Sequence, residues 1–163
     1  MNKGKKTTDY SKIYKKAFKI LGTLTPLKTD CGYLCGSACC KGDKSIGMRL
    51  FPNEPTSLTI VKNENGDRLA VCNGICNRDE RPLACRIFPL FPTISENGKI
   101  YPEIDCRAYR LCPMVEHCDQ ILVNKKFIKA ISRVGKMLSK DSLCKEFLMS
   151  STQEIDLFYE FYR

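Results

Sequence analysis

Hydrophobic and polar positions alternate with a helical period near the start of the chain. Apolar side chains recur every three or four positions from Tyr10 to Leu21, and lysines fill most positions between them. This spacing places the apolar residues on one helix face and the lysines on the other. Asp9 or Ser11 can cap the start, and the glycine after Leu21 can end the helix. The pattern predicts an amphipathic N-terminal helix after a loose polar tail over residues 1–8.

The middle of the chain has the pattern of short strands. Two apolar runs, Leu58–Val61 and Leu69–Cys72, flank an Asn-Gly pair. A second such pair, Asn97-Gly98, separates Phe91–Ile94 from Lys99–Tyr101. Because Asn-Gly favours the tight turn of a hairpin, each pair of runs is predicted to form one β-hairpin.

The last part of the chain is helical by the same criterion. Apolar residues recur at helical spacing from Ile121 to Leu138. A short helix is predicted to begin near Ser142. Ser151 and Glu154 then match a capping box, which predicts a separate final helix.

No repeat or linker divides the chain, so residues 1–163 are predicted to form a single domain. Its composition, 43% hydrophobic and 28% charged, is globular. The expected fold class is α+β: an N-terminal helix, a cysteine-rich centre with short strands over 28–118, and a helical part over 119–163. No apolar run has the length of a membrane span, and no signal peptide is recognisable. We therefore expect a cytoplasmic protein without a membrane partner.

The positive charge is concentrated at one end. The formal net charge is +9, and residues 1–44 hold 10 lysines against 3 aspartates. A basic arm of this kind can bind nucleic acid or an acidic protein partner. A solvated helix face explains the same lysines without any partner, and no aromatic-rich RNA-binding motif accompanies them.

Cysteine is the unusual component of the sequence. Ten of the 11 cysteines fall in three blocks, and Cys144 stands alone. The blocks are Cys31, Cys35, Cys39 and Cys40; then Cys72, Cys76 and Cys85; then Cys106, Cys112 and Cys118. No pair has Cys-x₂-Cys spacing, which argues against thioredoxin-like, zinc-ribbon and bacterial ferredoxin motifs.

Three explanations of the cysteines compete. Disulfides agree poorly with an odd count, no signal peptide and a chain large enough to have its own core. Packing as a small hydrophobic residue suits Cys144, which lies on an apolar helix face. Metal ligation accounts for the blocks, and thiolates select Zn²⁺ or iron–sulfur clusters. The single histidine, His117, is expected to be an ordinary polar residue.

The spacing of the first block bears on the choice of cofactor. On a helix, Cys31, Cys35 and Cys39 would share one face, with successive Cβ atoms roughly 5–6 Å apart. Zn–S bonds of about 2.3 Å hold sulfurs nearer to about 3.8 Å apart. An iron–sulfur cluster spaces its ligands more widely, so a [4Fe–4S] cluster is expected first and Zn second. Gly32 and Gly36 leave a loop as the alternative.

Part of the sequence has a family resemblance. Residues 81–89 read Arg-Pro-x-x-Cys-Arg-x-Phe-Pro, preceded by Cys72 and Cys76. Together with the block Cys31–Cys40, this resembles the bacterial and archaeal CxxCxxCC cysteine-cluster family of zinc- or iron-chelating proteins, which includes flagellin lysine-N-methylases. The resemblance covers about Lys28 to Pro113. The first block departs from it, because its spacers have three residues where the family has two.

The resemblance and the spacing together give the candidate site. Arg81 and Arg86 flank Cys85, where their charge can offset an anionic site and their N–H groups can bond to sulfur; two surface arginines in a loop are the alternative. The predicted metal ligands are Cys31, Cys35, Cys39 or Cys40, Cys72, Cys76, Cys85, and next Cys106 and Cys112.

Three hypotheses about function follow. The first is a metal-binding protein whose iron–sulfur cluster, or zinc, organises the fold. The second, implied by the resemblance alone, is a cluster-dependent protein-modifying enzyme of the lysine N-methylase type. No Gly-rich nucleotide loop and no acid–base constellation support the second. The third is a redox or metal sensor that binds a partner through the basic helix.

Overall fold

Helices and two small antiparallel sheets form the described chain, a computed structural model of residues 8–41, 47–72, 74, 77–116 and 123–162. The helices are α1 (Tyr10–Leu21), α2 (Gly32–Cys35), α3 (Leu83–Ile87), α4 (Pro113–Glu116), α5 (Lys125–Leu138) and α6 (Ser142–Tyr162). The strands are β1 (Met48–Arg49), β2 (Thr59–Lys62), β3 (Arg68–Val71), β4 (Leu90–Ile94) and β5 (Ile100–Ile104). The predicted α+β class is confirmed.

Helix α1 matches its sequence pattern. Asp9 caps it by accepting a hydrogen bond from the Lys12 amide, and Gly22 ends it with φ of 52°. Tyr14, Ala17 and Leu21 are buried on its inner face, while the lysines remain exposed. The structure therefore confirms an amphipathic helix, and binding of nucleic acid or protein to its basic face stays a prediction.

Both predicted hairpins are present. Strands β2 and β3 pair around the first Asn-Gly turn, and β1 adds to the other edge of β3. Strands β4 and β5 pair around the second turn. Gly66 and Gly98 have φ of 82° and 78°, the left-handed conformation that these turns require.

The main core lies where α5 and α6 pack on strand β4 and α1 packs against α5. Helix α5 approaches β4 and β5 closely, because a Cβ atom at Gly135 would lie only 2.7 Å from side-chain atoms of Ile100 and Pro92. Phe51 and Phe147 add an aromatic contact with ring centroids 4.9 Å apart. None of the helices in the described ranges combines the length and apolarity needed to cross a bilayer.

The prediction of two C-terminal helices is wrong. Helix α6 runs without a break from Ser142 to Tyr162, so Ser151 is buried inside it and does not cap a new helix. The residues between these limits include neither glycine nor proline, and nothing local interrupts the helix. Ile121 and Leu122, predicted to begin the preceding helix, lie outside the described residues.

Thr152 links α6 to β4 and gives a testable contact. Its hydroxyl donates to the Leu148 carbonyl at 2.7 Å and accepts from the buried Ile94 amide at 3.0 Å. We expect Thr152→Val to lower the free energy of unfolding by about 1–3 kcal/mol, because the Ile94 amide loses its acceptor. Urea denaturation would measure this. The Thr152→Ser control keeps the hydroxyl and should lose much less; equal losses in the two variants would contradict this role.

Candidate metal centre

One cavity is lined by cysteines from each of the three blocks. It encloses about 290 Å³ and is bounded by the end of α1, the first cysteine block, the sheet edge at β1 and β3, and α3. Seven cysteines line it: Cys31, Cys35, Cys39, Cys40, Cys72, Cys85 and Cys112. Residues up to 81 positions apart in the chain therefore face the same space.

The first block is a broken helix. Helix α2 ends at Cys35, because Gly36 and Ser37 both adopt left-handed backbone conformations with φ of 57°. The chain then resumes as a short 3₁₀ helix, Ala38–Cys40. Of the two expectations for this block, a continuous helix or a loop allowed by glycine, the structure shows a turn between two short helices. This turn lets both parts of the block border one cavity.

The second block lies against the first. Cys72 directly follows β3, and Arg78 forms an ion pair of 3.4 Å with Asp30, the residue before the first cysteine. A Cβ atom at Gly74 would be 3.9 Å from the Cys40 carbonyl oxygen. The chain segments that carry the first and second cysteine blocks are therefore adjacent. Cys76 lies outside the described residues.

The buried side chain of Glu54 positions the start of α3, the helix that carries Cys85. Pro82 precedes the helix, and the Glu54 side chain accepts hydrogen bonds from the Leu83 and Phe51 amides. Glu54 is fully buried, and burial raises its pKa to about 7. The sequence carries no local sign of this contact, because Glu54 precedes Leu83 by 29 positions.

The third block is divided between two environments. Cys112, just before α4, lines the cavity. Cys106 lies at the start of a 3₁₀ helix, packs against the main core, and is not among the residues that line the cavity. Cys118 and His117 lie outside the described residues. The structure thus brings Cys112, and not Cys106, to the other blocks.

The cavity thiols influence one another electrostatically. Burial raises the pKa of Cys31, and the nearby charges of Cys35 and Asp30 raise it further. The pKa of Cys39 is raised first by its hydrogen bond with Cys40 and then by burial. Burial, with a smaller effect of Cys35, also raises the pKa of Cys112. These thiols favour their neutral form, and a bound cation would have to displace their protons.

Arginines supply most of the positive charge around the cavity, and Lys41 adds to it. Four arginines line the cavity: Arg78, Arg81, Arg86 and Arg107. Arg86 donates to the carbonyls of Arg81, at 2.9 Å, and Asp79, at 2.6 Å, and its guanidinium lies 4.4 Å from the Phe18 ring centroid. The Arg86 side chain therefore connects the loop before α3 with helix α1.

Two of these arginines were not predicted from the sequence. Arg78 and Arg107 are each within two positions of a cysteine, and this proximity is the signal that could have identified them. Both predicted arginines, Arg81 and Arg86, do border the cavity, and their proposed action on a bound group stays a prediction.

The arrangement differs from a preformed ion site. Across the described ranges, no three His, Cys, Asp or Glu side chains are grouped so that they could hold a metal ion as they stand. None of the nine described cysteines forms a disulfide. Cys144 is fully buried in the main core beside Tyr14, as its position on an apolar helix face predicts.

Comparisons with known proteins add no relative. No family model, no curated protein and no solved structure matches this chain. The resemblance to the cysteine-cluster family therefore stays a prediction carried by the motif residues alone.

Proposed function

We propose that this protein binds an iron–sulfur cluster through cysteine thiolates of the cavity. The observation that carries the proposal is the convergence of seven cysteines, drawn from three separate blocks, on one space of about 290 Å³. Packing as small hydrophobic residues accounts for a single buried thiol such as Cys144, but it gives no reason for seven of them to border one cavity.

The donor set supports a soft metal. Thiolates prefer zinc and iron–sulfur clusters, whereas Mg²⁺ and Ca²⁺ prefer oxygen ligands. Four cysteines suffice for either a zinc ion or a [4Fe–4S] cluster. Seven cysteines line the cavity, which is more than four. We therefore assign the site to the cavity, and experiment must identify which four cysteines are ligands.

Two features favour a cluster over a single zinc ion. Zinc would have to draw four sulfurs to about 3.8 Å from one another, whereas a cluster spaces its ligands more widely and suits a cavity of about 290 Å³. The four arginines also suit a cluster held by four thiolates, because its net negative charge is stabilised by nearby positive charge and N–H donors. A bound cluster would supply one-electron redox chemistry or a firm crosslink between the blocks.

The proposal is tested by the metal that the protein carries. Protein purified without oxygen would be assayed for iron, zinc and acid-labile sulfide, and its visible spectrum recorded. We expect about four iron and four sulfide per chain, with a broad visible absorption band. Zinc without sulfide or colour would overturn the cluster but keep the thiolate site. If the protein carried neither iron nor zinc and all seven cavity thiols could be titrated, the proposal would be overturned.

A further inference from the structure

A second cleft lies along strand β5 near the start of β4, and half of its lining residues are aromatic. It has a volume of about 640 Å³ between β5, the 3₁₀ helix that follows it, and the end of α6. Its aromatic residues are Tyr109, Phe158, Tyr159 and Tyr162, and the remaining lining residues are Leu90, Pro102, Glu103 and Ile104. None of the seven cavity cysteines is among the described residues that line it.

The aromatic rings hold one another in fixed positions. Tyr159 donates a hydrogen bond to the Ile104 carbonyl at 3.2 Å, and Tyr109 donates to the Tyr159 hydroxyl at 3.4 Å. Phe158 stacks on Tyr162 with ring centroids 4.5 Å apart and contacts Tyr109 at 5.0 Å. The cleft is therefore a preorganised group of rings, which lowers the entropic cost of binding a ligand.

The exposure and charge of the cleft point to a cation. The Tyr109 and Tyr162 side chains are 37% and 71% exposed, so their rings can be reached from solvent. Glu103 is exposed and is the charged residue among those described as lining the cleft. Ring faces attract cations through their quadrupole, and a carboxylate adds to that attraction. We propose that this cleft binds a quaternary ammonium group.

The polar atoms of the cleft favour a quaternary over a primary ammonium. A primary ammonium brings three N–H donors, each of which needs an acceptor once water is displaced. The Tyr159 hydroxyl already accepts from Tyr109 and donates to the Ile104 carbonyl, and Glu103 is the single carboxylate among the described lining residues. A quaternary ammonium has no N–H group, so ring faces and one carboxylate satisfy it.

Nuclear magnetic resonance titration with choline tests the inference. We expect saturable shifts of cleft resonances, with much weaker binding of ethanolamine and of the neutral carbon isostere dimethylbutanol. Tyr109→Leu should weaken choline binding about fivefold or more, and Tyr109→Phe should retain most of it because the ring remains. Tyr101→Leu, which changes an exposed tyrosine outside the cleft on the same strand as Glu103, should bind as the wild type does.

Replacing Glu103 provides a second test in case substitutions of the aromatic residues impair folding. Glu103 is exposed, so Glu103→Gln should fold normally and weaken choline binding severalfold without changing dimethylbutanol binding. Absence of saturable choline binding would overturn the inference. Equal binding of choline and dimethylbutanol would also overturn it, because the cleft would then be only an apolar surface. Neither result depends on the metal content of the protein.

Discussion

Replacing Cys85 by serine is expected to remove the metal and to destabilise the centre of the protein. Cys85 lies on α3, borders the cavity, and belongs to the Arg-Pro-x-x-Cys-Arg motif. Loss of one thiolate ligand lowers the metal affinity, and the folded state then loses the free energy that metal binding contributes to folding. We expect the metal content to fall to a small fraction of the wild-type value. The free energy of unfolding should fall by more than about 4 kcal/mol, with a loss of solubility.

Two cysteines outside the cavity provide matched controls. Cys106 is half-buried like Cys85 but packs against the main core, and Cys144 is fully buried there. Cys106→Ser and Cys144→Ser should both retain the wild-type metal content. Measuring the metal content of the three variants tests this expectation. Equal metal content in Cys85→Ser and Cys106→Ser would contradict the assignment of Cys85 as a ligand.

The second large effect is a dependence of stability on pH through Glu54. Its carboxyl group is fully buried, and burial raises its pKa from 4.5 to about 7, against the opposing effect of the Leu83 and Phe51 amides and the nearby charges of Arg68 and Arg86. A raised carboxyl pKa means that the folded protein holds its proton more tightly than the unfolded chain does. The Glu54 contribution to stability is therefore complete below pH 4.5. It falls as pH rises towards 7, by about 3 kcal/mol in all.

The Glu54→Gln variant isolates this effect from the pH dependence of metal binding. Glutamine does not titrate, so any acid-induced release of metal affects the variant and the wild type alike. We expect the stability of the wild type relative to the variant to fall by about 3 kcal/mol between pH 4.5 and pH 8. Anaerobic denaturation at a series of pH values would measure it. A difference that stays constant with pH would show that Glu54 does not titrate in this range.

Local signals explain the parts of the fold that the sequence predicts well. Helix α1 and the two hairpins follow from short-range spacing, a capping aspartate and two Asn-Gly turns. The same reasoning fails at Ser151, where a capping-box pattern lies within an uninterrupted helix. Burial of Ser151 and the hydrogen bonds of Thr152 to its neighbours favour helix continuity there, and these contacts are not visible in the sequence.

The candidate site was predictable in composition but not in arrangement. Spacing and residue type single out the cysteine blocks, yet they give no reason to separate Cys112, which lines the cavity, from Cys106, which does not. That separation depends on the 3₁₀ helix between them and its packing. Glu54, which caps α3 from 29 positions away, depends in the same way on tertiary structure.

The most direct test of the account is a labelling map of the individual cysteines. Metal-loaded protein and chelator-treated protein would be alkylated without oxygen, and the label at each cysteine quantified by mass spectrometry. The account predicts that at least four of the seven cavity cysteines resist labelling until the metal is removed, while half-buried Cys106 is labelled in both forms. Cavity cysteines that react equally fast before and after metal removal would contradict it.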